Sequence, residues 1–182
     1  LFRSKVLLVG APYSMEEGDD MPHGYSFVYQ YSNNRWNSLG TPIKGKFGHD
    51  YSGQSTSISY DGSIVAIGSP YGTSLDNKDY NNRSSEGSVR IFKYENSDWN
   101  LIGDPIYGDG FGDRLGGQFG SGIALNSDAS KIVLGYPGRG NIGGSGLGEG
   151  PGHVRVFNLN DRVFPQLEII KPNTLQNNQT KQ

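Results

Sequence analysis

The sequence predicts an all-β chain built from about three copies of one four-stranded antiparallel unit. Three observations lead there: the glycine and aromatic usage, short apolar runs bounded by turn residues, and an internal repeat that keeps step along most of the chain. Glycine stands at 28 of 182 residues beside 11 Tyr and 8 Phe, with only 2 Met. That is the usage of short strands joined by turns, not of packed helices.

The repeat is carried by three signatures. Val9-Gly10-Ala11-Pro12-Tyr13 returns as Ile67-Gly68-Ser69-Pro70-Tyr71, 58 residues on, and as Leu134-Gly135-Tyr136-Pro137-Gly138 after a further 67. Gly24-Tyr25-Ser26-Phe27-Val28-Tyr29 answers to Gly87-Ser88-Val89-Arg90-Ile91-Phe92 and to Gly152-His153-Val154-Arg155-Val156-Phe157, at intervals of 63 and 65. Trp36-Asn37-Ser38-Leu39-Gly40 matches Trp99-Asn100-Leu101-Ile102-Gly103, and Phe164 holds the tryptophan position in the last copy. Registered self-similarity of this kind marks a repeat architecture.

Taken in order, the first copy begins at its second strand, with Val6 to Val9 expected on a buried strand. The second copy is complete. Ser55 to Tyr60 is its first strand, turned by Asp61-Gly62-Ser63. Ile64 to Gly68 is apolar without alternation, as a strand covered on both faces is. Ser88 to Glu95 is the third strand, and Asn96-Ser97-Asp98 turns the chain into the fourth, Trp99 to Ile102. The third copy repeats the order as Gly120 to Leu125, Lys131 to Gly135, His153 to Leu159 and Val163 to Leu167, with Ile132 to Leu134 expected to be buried. Trp36 and Trp99, at one position of successive copies, are expected to pack between units and not to form a sugar-stacking platform.

A four-stranded antiparallel unit at this repeat length is the signature of a β-propeller blade. The expected organisation is a partial blade over 1–40, a second blade over 41–103, a third over 104–170, and a polar tail or linker over 171–182. Since propellers use four to eight blades, further propeller blades are expected as partners of this segment.

Composition narrows the function. A net charge of −2 and a pI near 5.9 give no footprint for nucleic acid or an anionic membrane surface, and no apolar stretch is long enough to span a bilayer. Without cysteine there is neither a disulfide framework nor a thiolate metal site. The opening Leu1-Phe2-Arg3-Ser4-Lys5 lacks an initiating Met and a signal-peptide pattern, and reads as the start of a fragment or processed piece. The sequons Asn82-Arg83-Ser84 and Asn178-Gln179-Thr180 are of the kind glycosylated in secreted chains.

With these residues in place the chain resembles the FG-GAP repeats of integrin α-subunit propellers, over roughly Val6 to Leu159. Phe119-Gly120-Ser121-Gly122-Ile123 stands for the FG element, Gly135-Tyr136-Pro137 for GAP, and Gly10-Ala11-Pro12 is GAP verbatim. Ile58 to Gly68 and Trp99 to Gly103 look like a microbial or algal variant. The resemblance implies a non-enzymatic module for extracellular or cell-surface binding or adhesion, taking a protein or glycan ligand. The alternative is the scaffold of a secreted propeller enzyme acting on carbohydrate. Integrin-type blades often carry an Asp-rich calcium loop between the first two strands. Here that place holds only Tyr60-Asp61-Gly62-Ser63 or Asn126-Ser127-Asp128-Ala129-Ser130, too few oxygens for a hard cation. No cofactor or metal is therefore expected there, and calcium is left only to the long loops.

Other motifs dissolve on inspection. Gly40 to Phe47 nearly spells a phosphate-binding loop, but Phe47 stands where a Ser or Thr must ligate magnesium. Gly143 to Gly150 does not fit a dinucleotide loop. Ser59-Tyr60-Asp61 is better read as a hairpin turn than as an Asp-box. His23, His49 and His153 have no ligand spacing, and no catalytic residues are expected.

In an antiparallel unit the first-to-second and third-to-fourth turns fall at one end, and the remaining connections fall at the other. All the long connections belong to that second end: Tyr13 to His23, Tyr71 to Glu86, Gly138 to Pro151, Thr41 to Gly53 and Asp104 to Gln118. They hold 12 of the 18 acidic residues but 6 of the 16 basic ones. Binding is therefore expected there, through Glu16, Glu17, Asp19, Asp20, Asp76, Asp79, Asp109 and Asp113, toward a basic partner or a calcium-bridged ligand.

Overall fold

The computed structural model describes residues 5–73, 86–108, 122–136, 153–159 and 166–170. Among them every regular element is a strand and every pairing is antiparallel. The first sheet contains β1 (Val6–Ala11), β2 (Tyr25–Ser32), β3 (Arg35–Ser38) and β4 (Ile43–Lys44). The second contains β5 (Ser55–Ile58), β6 (Ile64–Ser69), β7 (Ser88–Glu95), β8 (Asp98–Leu101) and β9 (Ile106–Tyr107). The third contains β10 (Ile123–Leu125), β11 (Lys131–Tyr136), β12 (His153–Asn158) and β13 (Gln166–Ile170).

Turn chemistry sets the hairpins. Asn33 and Asn34 (φ 53° and 59°) join β2 to β3, and Asn96 and Ser97 (φ 55° and 66°) join β7 to β8. Two successive left-handed residues make the turn whose twist matches an antiparallel pair. Between β5 and β6 the Asp61 carboxylate accepts from Ser59 Oγ (2.6 Å), Ser63 N (3.0 Å) and Ser63 Oγ (2.8 Å). At the same place in the third copy, Asp128 accepts from Ser130 N (3.0 Å) and Asn126 Nδ2 (2.7 Å). These donors hold both carboxyls below the usual range, led by Ser59 for Asp61 and by the Ser130 amide for Asp128.

The fourth strand is broken, which corrects the expected bounds of two connections. It was expected to end at Ile102 in the second copy, with the connections starting at Thr41 and Asp104. Instead β4 and β9 return to pair with β2 and β7. The break falls at Gly40-Thr41-Pro42 and Gly103-Asp104-Pro105, where the glycines take φ of 74° and 64°. A left-handed glycine followed by a proline without an N–H interrupts a ladder and lets it resume. The last strand runs on past Leu167, since β13 spans Gln166–Ile170 with a register shift opposite Val156 and Phe157; Val163 to Pro165 lie outside the described residues.

The sheets are layered, with the second in the middle. Its β6 sends Val65 and Ile67, both fully buried, into a cluster with Val28, Ile43, Phe92 and Trp99. The alternate residue Ala66 joins Val89, Ile91, Ile106, Ile132, Leu134 and Phe157 on the other face. Each fully buried aliphatic side chain here contributes about 2 kcal/mol. Among the described residues the outer sheets are covered on one face only, which corrects the expectation for Val6 to Val9 and for Ile132 to Leu134. Leu7 and Val9 are 44% and 40% exposed, and Val133 is 40% exposed between the buried Ile132 and Leu134. A strand alternates faces, so a neighbour on one side buries only every second residue.

Candidate functional site

The connections that leave the ends of β1 and β6 and those that enter β2, β5 and β7 gather at one end of the layers. The segment after β1 turns back at once, with Ser14 N donating to the Ala11 carbonyl (3.1 Å), and closes where Gly24 N donates to Ser14 O (3.1 Å). The segment before β5 is stitched to it: Gly45 N donates to Gly24 O (2.9 Å), His49 N to Pro22 O (2.8 Å) and Ser52 N to His23 O (3.0 Å). Gly53 then passes between the two sheets, its N donating to Gly68 O (2.9 Å). The Gly53 carbonyl oxygen lies 1.9 Å from where a Cβ on Gly10 would stand, so the glycine of Gly10-Ala11-Pro12 is required by a crossing chain.

Two polar groups, one buried and one half-buried, hold this segment. Asp50, 2% exposed, accepts from Phe47 N (2.8 Å). Arg90 reaches across from β7 and donates to the Lys44 carbonyl (2.8 Å) and Ser52 Oγ (3.2 Å). Burial lowers the Arg90 pKa, and Asp50 opposes that shift. Arg155 donates to the Tyr107 carbonyl (3.4 Å), the same contact one repeat later.

On this frame three loops bring tyrosines together. Tyr51 meets Tyr13 edge to face (5.3 Å, 72°), Tyr71 at a tilt (5.3 Å, 55°), and the His49 ring edge to face (5.7 Å, 81°). Tyr13 is 72% exposed and presents its ring to solvent. Burial, with Tyr71 and Tyr13 beside it, raises the Tyr51 pKa. His49 and Tyr51 both have left-handed backbones (φ 69° and 50°), a conformation costing about 1–3 kcal/mol for such residues and concentrated at ligand sites.

Beside the rings sits a charged knot. Lys44 Nζ lies 2.7 Å from Glu16 Oε2 and 3.7 Å from Asp19 Oδ2, His23 Nε2 lies 3.7 Å from Asp19 Oδ1, and Tyr25 OH donates to Glu16. The Lys44 pairing, then the Tyr25 hydroxyl, keeps the Glu16 carboxyl below its usual range, and Glu16 in turn raises the Lys44 pKa. Neither family models nor curated proteins match the chain. Its function has to be read from this geometry.

Of the expected binding residues, Glu16 and Asp19 are brought together, but around the chain's own Lys44. Glu17 and Asp20 are exposed and make no ion pair among the described residues. Asp76, Asp79, Asp109 and Asp113 lie outside the described residues. No group of three or more His, Asp or Glu among the described residues is arranged to hold a metal ion, and no helix is long and apolar enough to cross a membrane. The tyrosine cluster escaped the sequence reading. Its one signal was the Pro-Tyr pair shared by Pro12-Tyr13 and Pro70-Tyr71; nothing local ties Tyr51 to them.

Proposed function

We propose that this chain is part of an FG-GAP-like β-propeller module that binds a glycan or protein ligand without catalysis, at the cell surface or outside the cell. The observation that carries the reading is the convergence of Tyr13, Tyr51 and Tyr71 from three separate loops, with Tyr51 in the middle of the rings. Tyrosine offers a flat apolar face and a polar rim at low entropic cost, which suits the C–H faces and hydroxyls of a sugar ring. The left-handed backbones at His49 and Tyr51 favour a presented surface over a loop that merely connects strands.

The blade reading is favoured by the three layered antiparallel sheets and by the recurrence of the Arg90 contact at Arg155. Glu17 and Asp20 are exposed on the loop that follows Tyr13, and they are proposed, together with Asp76, Asp79, Asp109 and Asp113 from the sequence, as acidic contacts to the ligand. The test is calorimetric titration against a panel of neutral and basic oligosaccharides and basic peptides. Tyr13→Ala should weaken the best binder at least about tenfold, while Asn at Asp76, Asp79, Asp109 and Asp113 should weaken it in a salt-dependent way. A ligand whose affinity ignores both changes, with the fold intact by circular dichroism, refutes the reading.

A further inference from the structure

The two outer faces of the layered sheets are the two halves of an interface the chain already makes internally. Leu7, Val9, Tyr31 and Trp36 occupy the same repeat positions on the first sheet as Val65, Ile67, Tyr94 and Trp99 on the second. The second set is packed against the first sheet, where Trp99 is 8% exposed and its Nε1 donates to the Leu39 carbonyl (2.7 Å). No sheet covers the first set among the described residues: Leu7 is 44%, Val9 40%, Tyr31 38% and Trp36 49% exposed. Tyr31 and Trp36 still adopt the pairing of their counterparts, with ring centroids 5.3 Å apart against 5.2 Å for Tyr94 and Trp99.

The opposite outer face is the complement. Val133, Val154 and Val156 on the third sheet correspond to Ala66, Val89 and Ile91 on the second, which are 0–1% exposed against the third sheet. Val133 is 40% exposed, and Val154 and Val156 are half-buried.

We propose that the chain associates with a second copy of itself head to tail, the Val133–Val154–Val156 face of one copy docking on the Leu7–Val9–Trp36 face of the next. The contact repeats the one made between the first and second sheets and again between the second and third. It joins different patches and leaves each dimer with one free face of each kind, so assembly continues into closed rings or open chains. This does not rest on the loop end being a ligand site, which lies at the ends of the strands and not on these faces.

The test is sedimentation velocity over a concentration series reaching about 100 µM, on the full chain and on three variants. Trp36→Glu and Leu7→Glu block one face and Val133→Glu the other; all three positions are solvent-exposed, and thermal melts followed by circular dichroism confirm folding. The wild type should grow in mass with concentration above its 19.8 kDa, with each blocked variant at least about tenfold weaker in self-association. An equimolar mixture of Trp36→Glu and Val133→Glu should restore a single interface and stop at twice the monomer mass. A wild type that stays monomeric throughout overturns the proposal. So does a Val133→Glu variant that assembles as well as the wild type, because that contact joins like faces.

Discussion

Trp36 and Trp99 hold the same place in successive repeats, pair with the same neighbour type across the hairpin, and differ sixfold in exposure, 49% against 8%. Nothing in the strands that carry them accounts for the difference. What separates them is the layer in front: the first sheet supplies Leu39 and the Gly40 backbone to Trp99, and among the described residues no sheet does so for Trp36. The same contrast runs through Val65 against Leu7 and Ile67 against Val9. A repeat therefore specifies a side chain's direction, while its energetic weight depends on stacking, as expected of a quasi-one-dimensional array.

The comparison breaks most directly by truncation. Trp99→Ala should cost about 4 kcal/mol and Trp36→Ala less than about 1 kcal/mol, read from urea midpoints at dilute protein concentration. Comparable losses would mean that the first sheet's outer face is covered. A second, smaller effect sharpens the junction between the sheets. Gly10→Ala drives a methyl group into the Gly53 carbonyl, 1.9 Å away, and should cost about 3 kcal/mol in the same measurement.

The smallest effect is acid sensitivity. Asp98 accepts from Thr41 N (2.8 Å) and Thr41 Oγ1 (2.9 Å) of the first sheet, and the Thr41 amide above all keeps its carboxyl below the ordinary 3.8. A carboxyl with a lowered folded-state pKa adds stability that is fully present above the unfolded value and lost as pH falls through the folded one. The melting temperature of the wild type should therefore exceed that of Asp98→Ala at neutral pH, with the gap closing only below 3.8. A gap independent of pH would assign the contact to packing instead. In the first sheet the matching position is Arg35, so the device belongs to this junction.

Much of the strand layout was legible because strand and turn signals are local. The apolar run at Ile64 to Gly68 became β6, buried on both faces, and Asn33-Asn34 and Asn96-Ser97 became hairpin turns. The short β4 and β9 were hidden, since two residues after Gly-Thr-Pro or Gly-Asp-Pro carry no alternation to detect. The charged knot was only half legible. Charge counting singled out Glu16 and Asp19 but not Lys44, whose ammonium reaches Glu16 only after β4 folds back onto β2.

By itself the sequence determined the all-β character, the unit of repetition and the register of its copies, because alternation, turn residues and glycine spacing act over a few bonds. Only the tertiary structure decided which faces are buried and which residues meet at the loop end. Tyr13, Tyr51 and Tyr71 converge because Gly53 threads between Gly10 and Gly68 and draws three loops onto one surface. That closure depends on sheets stacking, which no stretch of a single strand encodes.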